Sequence, residues 1–96
     1  MYAVVRRYQH ASALGQAMQE RQSEVEDLLS SVPGFVTYYA VLTDDGELAT
    51  VTVCQDQAGT TESTRRAAEW VRANLPEASG APPEIVHGAT FISIGS

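Results

Sequence analysis

The order of apolar and polar positions divides the chain into alternating strands and helices. Tyr2 to Gln9 is rich in valine and tyrosine and precedes a polar break, which predicts a first strand. From Ala13 to Val32 the apolar positions recur at spacings of three, four and seven, with charged residues between them. This period predicts an amphipathic helix with Ser12 as a candidate N-cap. Pro33-Gly34 ends it, because proline disfavours helical backbone in the residue before it.

The middle of the chain has the pattern of a β-hairpin. Phe35 to Thr43 and Glu47 to Gln55 are both rich in β-branched or aromatic residues. Asp44-Asp45-Gly46 lies between them, and its glycine can adopt the positive φ that a tight turn requires. These segments are therefore predicted to be the second and third strands.

A second helix and a last strand complete the pattern. The helix is capped by Asp56 or by Thr60-Thr61, keeps one side apolar, and is ended by Pro76. Pro76 to Pro83 has turn chemistry without periodicity and is predicted to be a long connection. Glu84 to Ile94 is predicted to be the fourth strand.

The order βαββαβ predicts an α+β, ferredoxin-like domain over residues 1–96. Its antiparallel sheet should have the spatial order 4-1-3-2, with both helices on one face. Both rows of the third strand are substantially apolar: Ala49, Val51 and Val53 in one, Leu48, Thr50, Thr52 and Cys54 in the other. A sheet with one face in water alternates apolar with polar residues. We therefore expect a second copy of the chain to cover the free face, as a two-fold homodimeric barrel.

Charge and composition restrict the partners and the location. Twelve carboxylates against six arginines give a net charge of −6, which repels nucleic acid and anionic lipid. The apolar run Tyr38 to Leu42 is too short to span a bilayer. The N-terminal charges follow an apolar stretch, the reverse of a signal peptide. We therefore expect a reduced, cytoplasmic protein without nucleic-acid or membrane partners, and two histidines with one cysteine predict no metal site.

Three segments carry a family resemblance. They are Pro33-Gly34-Phe35 with Tyr38-Tyr39 behind it, Thr50-Val51-Thr52-Val53 leading into Gln55-Asp56, and Ser63 to Val71 of the second helix. Together they resemble the antibiotic-biosynthesis-monooxygenase-like group of the dimeric α+β barrel superfamily. The resemblance implies a homodimer with a small cavity between sheet and helices in each subunit. It also implies relatives that include cofactor-independent oxygenases of polyphenols, quinol oxygenases and haem-degrading enzymes.

The residues that haem-degrading members share are absent from the matching positions. Those members resemble one another in an Asn on the first strand, a Trp near the end of the third strand and a His on the second helix. Here the first strand has no Asn, Cys54 stands near the Trp position, and the second helix has no His. The resemblance therefore implies no haem, and we expect no cofactor.

Adjacent arginines on the first strand are the first candidate site residues. Side chains alternate along a strand, so Arg6 and Arg7 point to opposite faces and one is drawn inward. A buried guanidinium needs an anion or carbonyl groups. It could bind a phenolate oxygen of a ligand, or it could pair with a carboxylate of the fold.

Other candidates depend on strand parity. If Thr50, Thr52 and Cys54 face the cavity, the residues that share it are Arg6, Tyr8, Tyr39 and His87. The substrate-binding candidates are then Arg6, Tyr8, Thr50, Thr52 and Cys54, together with Trp70 of the second helix. His87 and Tyr39 are the catalytic candidates, since imidazole titrates near neutrality and either group can exchange a proton. Each also has a structural interpretation: His87 as a hydrogen-bonded core residue, the tyrosines as core, and Cys54 as a buried inert thiol.

Two functions fit these residues. The first is a small cofactor-independent monooxygenase acting on an aromatic or quinol substrate, with His87 or a tyrosine as base and an arginine orienting the oxyanion. The second is a non-catalytic, dimeric ligand-binding or accessory protein of the same fold.

Overall fold

The computed structural model describes residues 1–76 and 82–95. Its elements are β1 (Tyr2–Tyr8), α1 (Ser12–Glu20), α2 (Gln22–Ser30), β2 (Phe35–Leu42), β3 (Leu48–Cys54), α3 (Gln57–Asn74) and β4 (Glu84–Ala89). The strands form one antiparallel sheet in the order β2-β3-β1-β4. The predicted ferredoxin-like α+β fold and its 4-1-3-2 strand order are thereby confirmed.

The two faces of the sheet differ in what covers them. In β3, Leu48, Thr50, Thr52 and Cys54 are buried, and the residues between them are partly exposed. The buried row faces the helices, where α3 packs on β3 and β1 and α2 packs on β2. We call the other side of the sheet the open face. It carries exposed apolar side chains, including Tyr39, Val41 and Val86, as the apolar pattern of both rows predicted.

The core lies between the helices and the helix-facing row. Its buried apolar residues are Ala11, Leu14, Val25, Leu29, Leu48 and Trp70. The N-terminus of α3 is fixed by Asp56, whose carboxylate accepts a 3.1 Å hydrogen bond from the Gly59 N–H. This is one of the two predicted caps, and it satisfies a backbone donor that has no partner within the helix.

The first helical segment is broken, where one helix was predicted. Arg21 lies between α1 and α2 with φ −117° and ψ 36°, outside the helical region. The break falls where no apolar residue occurs between Met18 and Val25, so no core contact holds a continuous helix there. The predicted Ser12 cap is also corrected: Ser12 is the first helical residue, and Ala11 precedes it without a side-chain cap.

The fourth strand ends earlier than its apolar pattern predicted. β4 stops at Ala89, opposite Tyr2, and the Thr90 N–H donates to the Met1 carbonyl at 2.9 Å. Beyond this point the chain is no longer part of the sheet, and Phe91 is 91% exposed. The predicted connection from Pro76 to Pro83 falls largely on residues 77–81, which lie outside the described residues. No helix in the described ranges has the length and apolarity needed to cross a membrane.

Candidate functional site

The most unusual group in the structure is a buried cation. Arg6 lies in the centre of β1 and is 1% exposed. Its Nε donates to Thr64 Oγ1 at 3.2 Å and its Nη2 to Ser63 Oγ at 2.7 Å, both on α3. Its Nη1 donates to Thr50 Oγ1 at 3.4 Å and Thr52 Oγ1 at 3.2 Å, both on β3. The guanidinium is therefore bound by four neutral hydroxyls.

None of the salt bridges within the described residues includes Arg6. Burial lowers its pKa, and the electrostatic effects of Tyr8, Tyr38 and Cys54 oppose that decrease. Neutral hydroxyls solvate a cation but do not neutralise it, so the positive charge remains uncompensated inside the fold. The carboxylate partner that a purely structural role would require is absent from these contacts.

Arg6 lines a small cavity, which we call the inner cavity. It has a volume of about 30 Å³, enough for about two water molecules. Four further lining residues carry polar groups: Tyr8, Tyr38, Thr50 and Trp70. The remaining lining is apolar and comes from α1, α2 and α3. Such a wall excludes water and increases the effect of the single positive charge.

A larger groove adjoins the inner cavity. It has a volume of about 280 Å³ and lies between the broken helix and β2, with Ala40, Leu42 and Leu48 on the sheet side. Met18, Val25 and Tyr38 line both spaces. Their side chains therefore form the wall between the groove and Arg6, and the groove is the space large enough for an aromatic ring.

The two cavity tyrosines are neutral at physiological pH. Burial raises the pKa of Tyr38 to about 12, and the nearby Arg6 opposes the increase. Burial also raises the pKa of Tyr8, again against the effect of Arg6. Both phenols can therefore donate or accept a hydrogen bond, but neither is a base at neutral pH.

Tyr39 lies away from this cavity, contrary to the predicted parity. Phe35 pairs with Cys54 and packs against the core, but the next aligned residue is Thr37, opposite Val53. This register shift inserts one residue and reverses the faces that follow. Tyr39 therefore lies on the open face and is 60% exposed, whereas Tyr38 lines the cavity.

His87 is also outside the inner cavity. Its register with Val4 places it on the helix side of β4, but β4 is an edge strand and the side chain is exposed. Its Nδ1 is 3.1 Å from the hydroxyl of Tyr2. The structure does not bring His87 together with Arg6, Tyr8 and Trp70.

The remaining candidates divide between the cavity and the framework. Trp70 lines the cavity, and its Nε1 donates to Glu24 Oε1 at 2.8 Å. Thr52 contacts Arg6 without lining the cavity. Cys54 is fully buried at the end of β3, and burial raises the pKa of its thiol, as expected for an unreactive cysteine. No group of three potential metal ligands occurs within the described residues.

Arg7 provides the contrast to Arg6. It lies on the open face, where its Nη2 is 2.7 Å from Glu47 and its Nη1 is 3.5 Å from Glu84. The two adjacent arginines thus occupy opposite environments, one ion-paired in solvent and one buried among hydroxyls. This confirms that one of the pair points inward and identifies Arg6 as that residue.

Comparison with known proteins gives matches among solved structures only. No protein-family model and no curated protein match the chain. A Nitrosomonas europaea protein assigned to the antibiotic biosynthesis monooxygenases superimposes with a TM-score of 0.73 at 11% identity, over 98% of this chain and 93% of that one. The chain therefore has the same fold as that protein. The family resemblance seen in the sequence is thereby confirmed at the level of structure.

Two further structures share this fold. One is the ActVA-Orf6 monooxygenase of Streptomyces coelicolor in complex with nanaomycin D, at TM-score 0.69 and 16% identity, over 99% of this chain and 91% of that one. The other is SnoaB, a cofactor-independent oxygenase of Streptomyces nogalater, at TM-score 0.62 and 15% identity, over 99% of this chain and 97% of that one. At these identities the likeness describes the fold.

Sequence reasoning missed three residues of the site. Tyr38 occupies the cavity position that the predicted parity gave to Tyr39, because of the irregularity at the start of β2. Ser63 and Thr64 were not recognised as partners of Arg6, although the α3 sequence places hydroxyls at Thr60, Ser63 and Thr64 on a helix that packs on β1. A run of small hydroxyl residues facing a strand with an inward arginine is the signal that could have identified them.

Proposed function

We propose that the protein is a cofactor-independent monooxygenase-like enzyme that acts on an aromatic, quinol-type substrate. The supporting observation is the uncompensated Arg6 guanidinium in the wall of a water-excluding cavity. The aromatic ring would occupy the groove of about 280 Å³. Displacement of Met18, which lines both spaces, would then let the oxygen of the substrate reach Arg6.

The reaction needs no external reductant. A phenolate is electron-rich enough to be attacked by O₂ at a ring carbon. One oxygen atom then remains on the carbon, the other leaves as water, and the phenol becomes a quinone, with all electrons supplied by the substrate. Arg6 would stabilise the oxyanion, Tyr8 and Tyr38 would donate hydrogen bonds, and the apolar wall would keep bulk water away.

Oxygen consumption with hydroquinones, naphthalenediols and acidic phenols conjugated to a carbonyl, measured with EDTA and without added cofactor, tests this function. We expect Arg6→Gln to reduce the rate by about 100-fold, as when one stabilising donor to an oxyanion is removed. Arg7→Gln is the matched control, because Arg7 is the next residue on the same strand but faces away. Absence of oxygen consumption by the wild-type protein, or equal effects of the two variants, would contradict the proposal.

A ligand-binding function without catalysis has one observation in its favour. The described lining of the inner cavity contains no His, Asp or Glu, and burial raises the pKa of both its tyrosines. No group there can remove a proton at neutral pH. Saturable binding of an aromatic ligand without oxygen consumption would identify this second function.

We also propose that the protein works as a homodimer through its open face. Tyr39, Val41 and Val86 are each more than half exposed there, and Phe91 beyond β4 is almost fully exposed. Patches of this kind are typical of interfaces, and a two-fold axis lets one patch cover its own copy. Sedimentation equilibrium should give twice the mass of the 10.3 kDa chain. Val86→Glu should shift the mass towards the monomer, and a stable wild-type monomer would refute the dimer.

A further inference from the structure

The described lining of the inner cavity has a positive charge and no base. Its charged group is Arg6, and its titratable neighbours are Tyr8 on β1, Tyr38 on β2 and Cys54 on β3. The lining side chains contributed by α1 and α2 are apolar, and α3 presents to Arg6 the hydroxyls of Ser63 and Thr64. Among the described residues that line the inner cavity, no group can take the proton of a neutral phenol.

The hydroxyls that bind Arg6 leave part of its capacity unused. A guanidinium has five N–H donors, and the hydroxyls of the described residues accept from four of them. Thr50 accepts from Arg6 and lines the cavity, but its hydroxyl is also hydrogen-bonded to Tyr38. The fifth guanidinium N–H is therefore the donor left for an incoming oxygen atom. The site can therefore give hydrogen bonds and positive charge to an incoming oxygen atom, but it cannot ionise it.

We propose that the ligand of this site is an aromatic acid that is already anionic at neutral pH and binds with its negative oxygen against Arg6. The proposal rests on the proposed function, since it concerns the same cavity, and it narrows the substrate class. Acidic enols and phenols conjugated to a carbonyl belong to this class, whereas simple hydroquinones do not. Binding supplies the counter-charge that the fold does not supply.

The net charge of the whole molecule opposes the binding of an anion. The net charge is −6, and Glu26 lines the larger groove, next to Gln22. Recognition of an anion must therefore come from short-range contact with Arg6 rather than from long-range attraction. Added salt should then weaken binding little, or strengthen it, which is the opposite of an exposed basic site.

Two naphthoquinones provide a matched pair of binding probes. The hydroxyl of 2-hydroxy-1,4-naphthoquinone is ionised at neutral pH, and 2-methoxy-1,4-naphthoquinone has nearly the same shape without the charge. We expect the hydroxy compound to bind the wild-type protein at least about tenfold more tightly, the range of a charge-assisted hydrogen bond. In Arg6→Gln the two affinities should agree within about twofold, and in Arg7→Gln the preference should remain.

A second measurement does not depend on any variant. The visible absorption of the hydroxy compound reports its ionisation, and binding to wild-type protein should move that ionisation to lower pH by about one unit, the shift that a tenfold preference for the anion requires. Equal binding of the two probes, binding of neither, an unshifted ionisation, or loss of the preference in Arg7→Gln would overturn the proposal.

Failure of the proposed function has a different signature. Preference for the anionic probe without oxygen consumption on any phenol leaves an anion-binding protein and refutes the monooxygenase. Rapid oxidation of neutral hydroquinones without preference for the anion supports the monooxygenase and refutes the anionic ligand.

Discussion

Replacement of Gly59 by alanine tests how closely α3 is packed against the sheet. Gly59 is the third residue of α3. A Cβ atom there would lie 2.7 Å from Cys54 Cβ, 3.0 Å from Cys54 Sγ and 3.1 Å from the Pro33 carbonyl oxygen. Cys54 Cβ is attached directly to the backbone of β3, so it cannot move aside as the end of a flexible side chain could. The start of α3 must therefore shift.

The magnitude follows from two opposing effects. Alanine in place of glycine stabilises a helix by about 1 kcal/mol, and overpacking of a close contact costs about 1–3 kcal/mol. We expect Gly59→Ala to be less stable than wild type by about 1 kcal/mol, which corresponds to about 4–8 °C in Tm for a domain of this size. The anionic probe should also bind more weakly, because α3 holds Ser63 and Thr64 against Arg6.

Urea unfolding followed by circular dichroism measures this change. Ala68→Gly is the control, because Ala68 is exposed on the same helix and reports the propensity effect alone, a loss of about 1 kcal/mol. If Gly59→Ala instead gains the 1 kcal/mol that propensity predicts, the close packing of α3 on β3 is refuted.

Three further predictions concern titration and packing. Because burial raises the pKa of Tyr38 to about 12, the unfolded chain loses this proton first, at about pH 10. The free energy of unfolding should therefore fall between these two pH values, and it should fall less steeply in Tyr38→Phe. Ionisation of all tyrosines together at about pH 10 would contradict this. Trp70→Phe should lower the free energy of unfolding by about 2 kcal/mol, measured by calorimetry, because it removes buried volume and the hydrogen bond to Glu24. A loss no larger than that of Glu24→Gln would refute the packing role. Hydrogen bonds from Arg65 and Arg66 lower the pKa of Glu62 to about 2, so its contribution to stability is present above about pH 4.3 and is lost as the pH falls towards 2. At low salt, the stability of Glu62→Gln should therefore depend less on pH in this range. Identical curves of stability against pH for the two proteins would contradict this prediction.

The fold was predictable because its signals are local and periodic. The change from period two to period 3.6 after β1, the Pro33-Gly34 stop and the turn at Gly46 are each encoded within a few residues. Gly46 adopts the positive φ of 87° that the hairpin prediction required. The break at Arg21 was not predictable in the same way, because a gap in an apolar pattern is compatible with either a bent or a straight helix.

The composition of the site depended on contacts between distant segments. An irregularity of one residue at the start of β2 places Tyr38, and not Tyr39, on the cavity side of the sheet. Alternation along a strand reverses at such a point, and no feature of the sequence marked it. The proposed general base His87 lies on an exposed edge strand for a related reason, since helix α3 packs on β1 and β3 rather than over β4.

The sequence by itself determined the order of the elements, the presence of two apolar sheet faces and the inward position of one of two adjacent arginines. These follow from side-chain periodicity, which neighbouring residues encode. The tertiary structure alone decided what surrounds that arginine. Its hydroxyl partners lie 44 to 58 residues away in the chain, and only the packing of α3 against β1 and β3 brings them together. Within the described part of the chain the same packing places no carboxylate against Arg6, and this uncompensated charge is the basis of the proposed function.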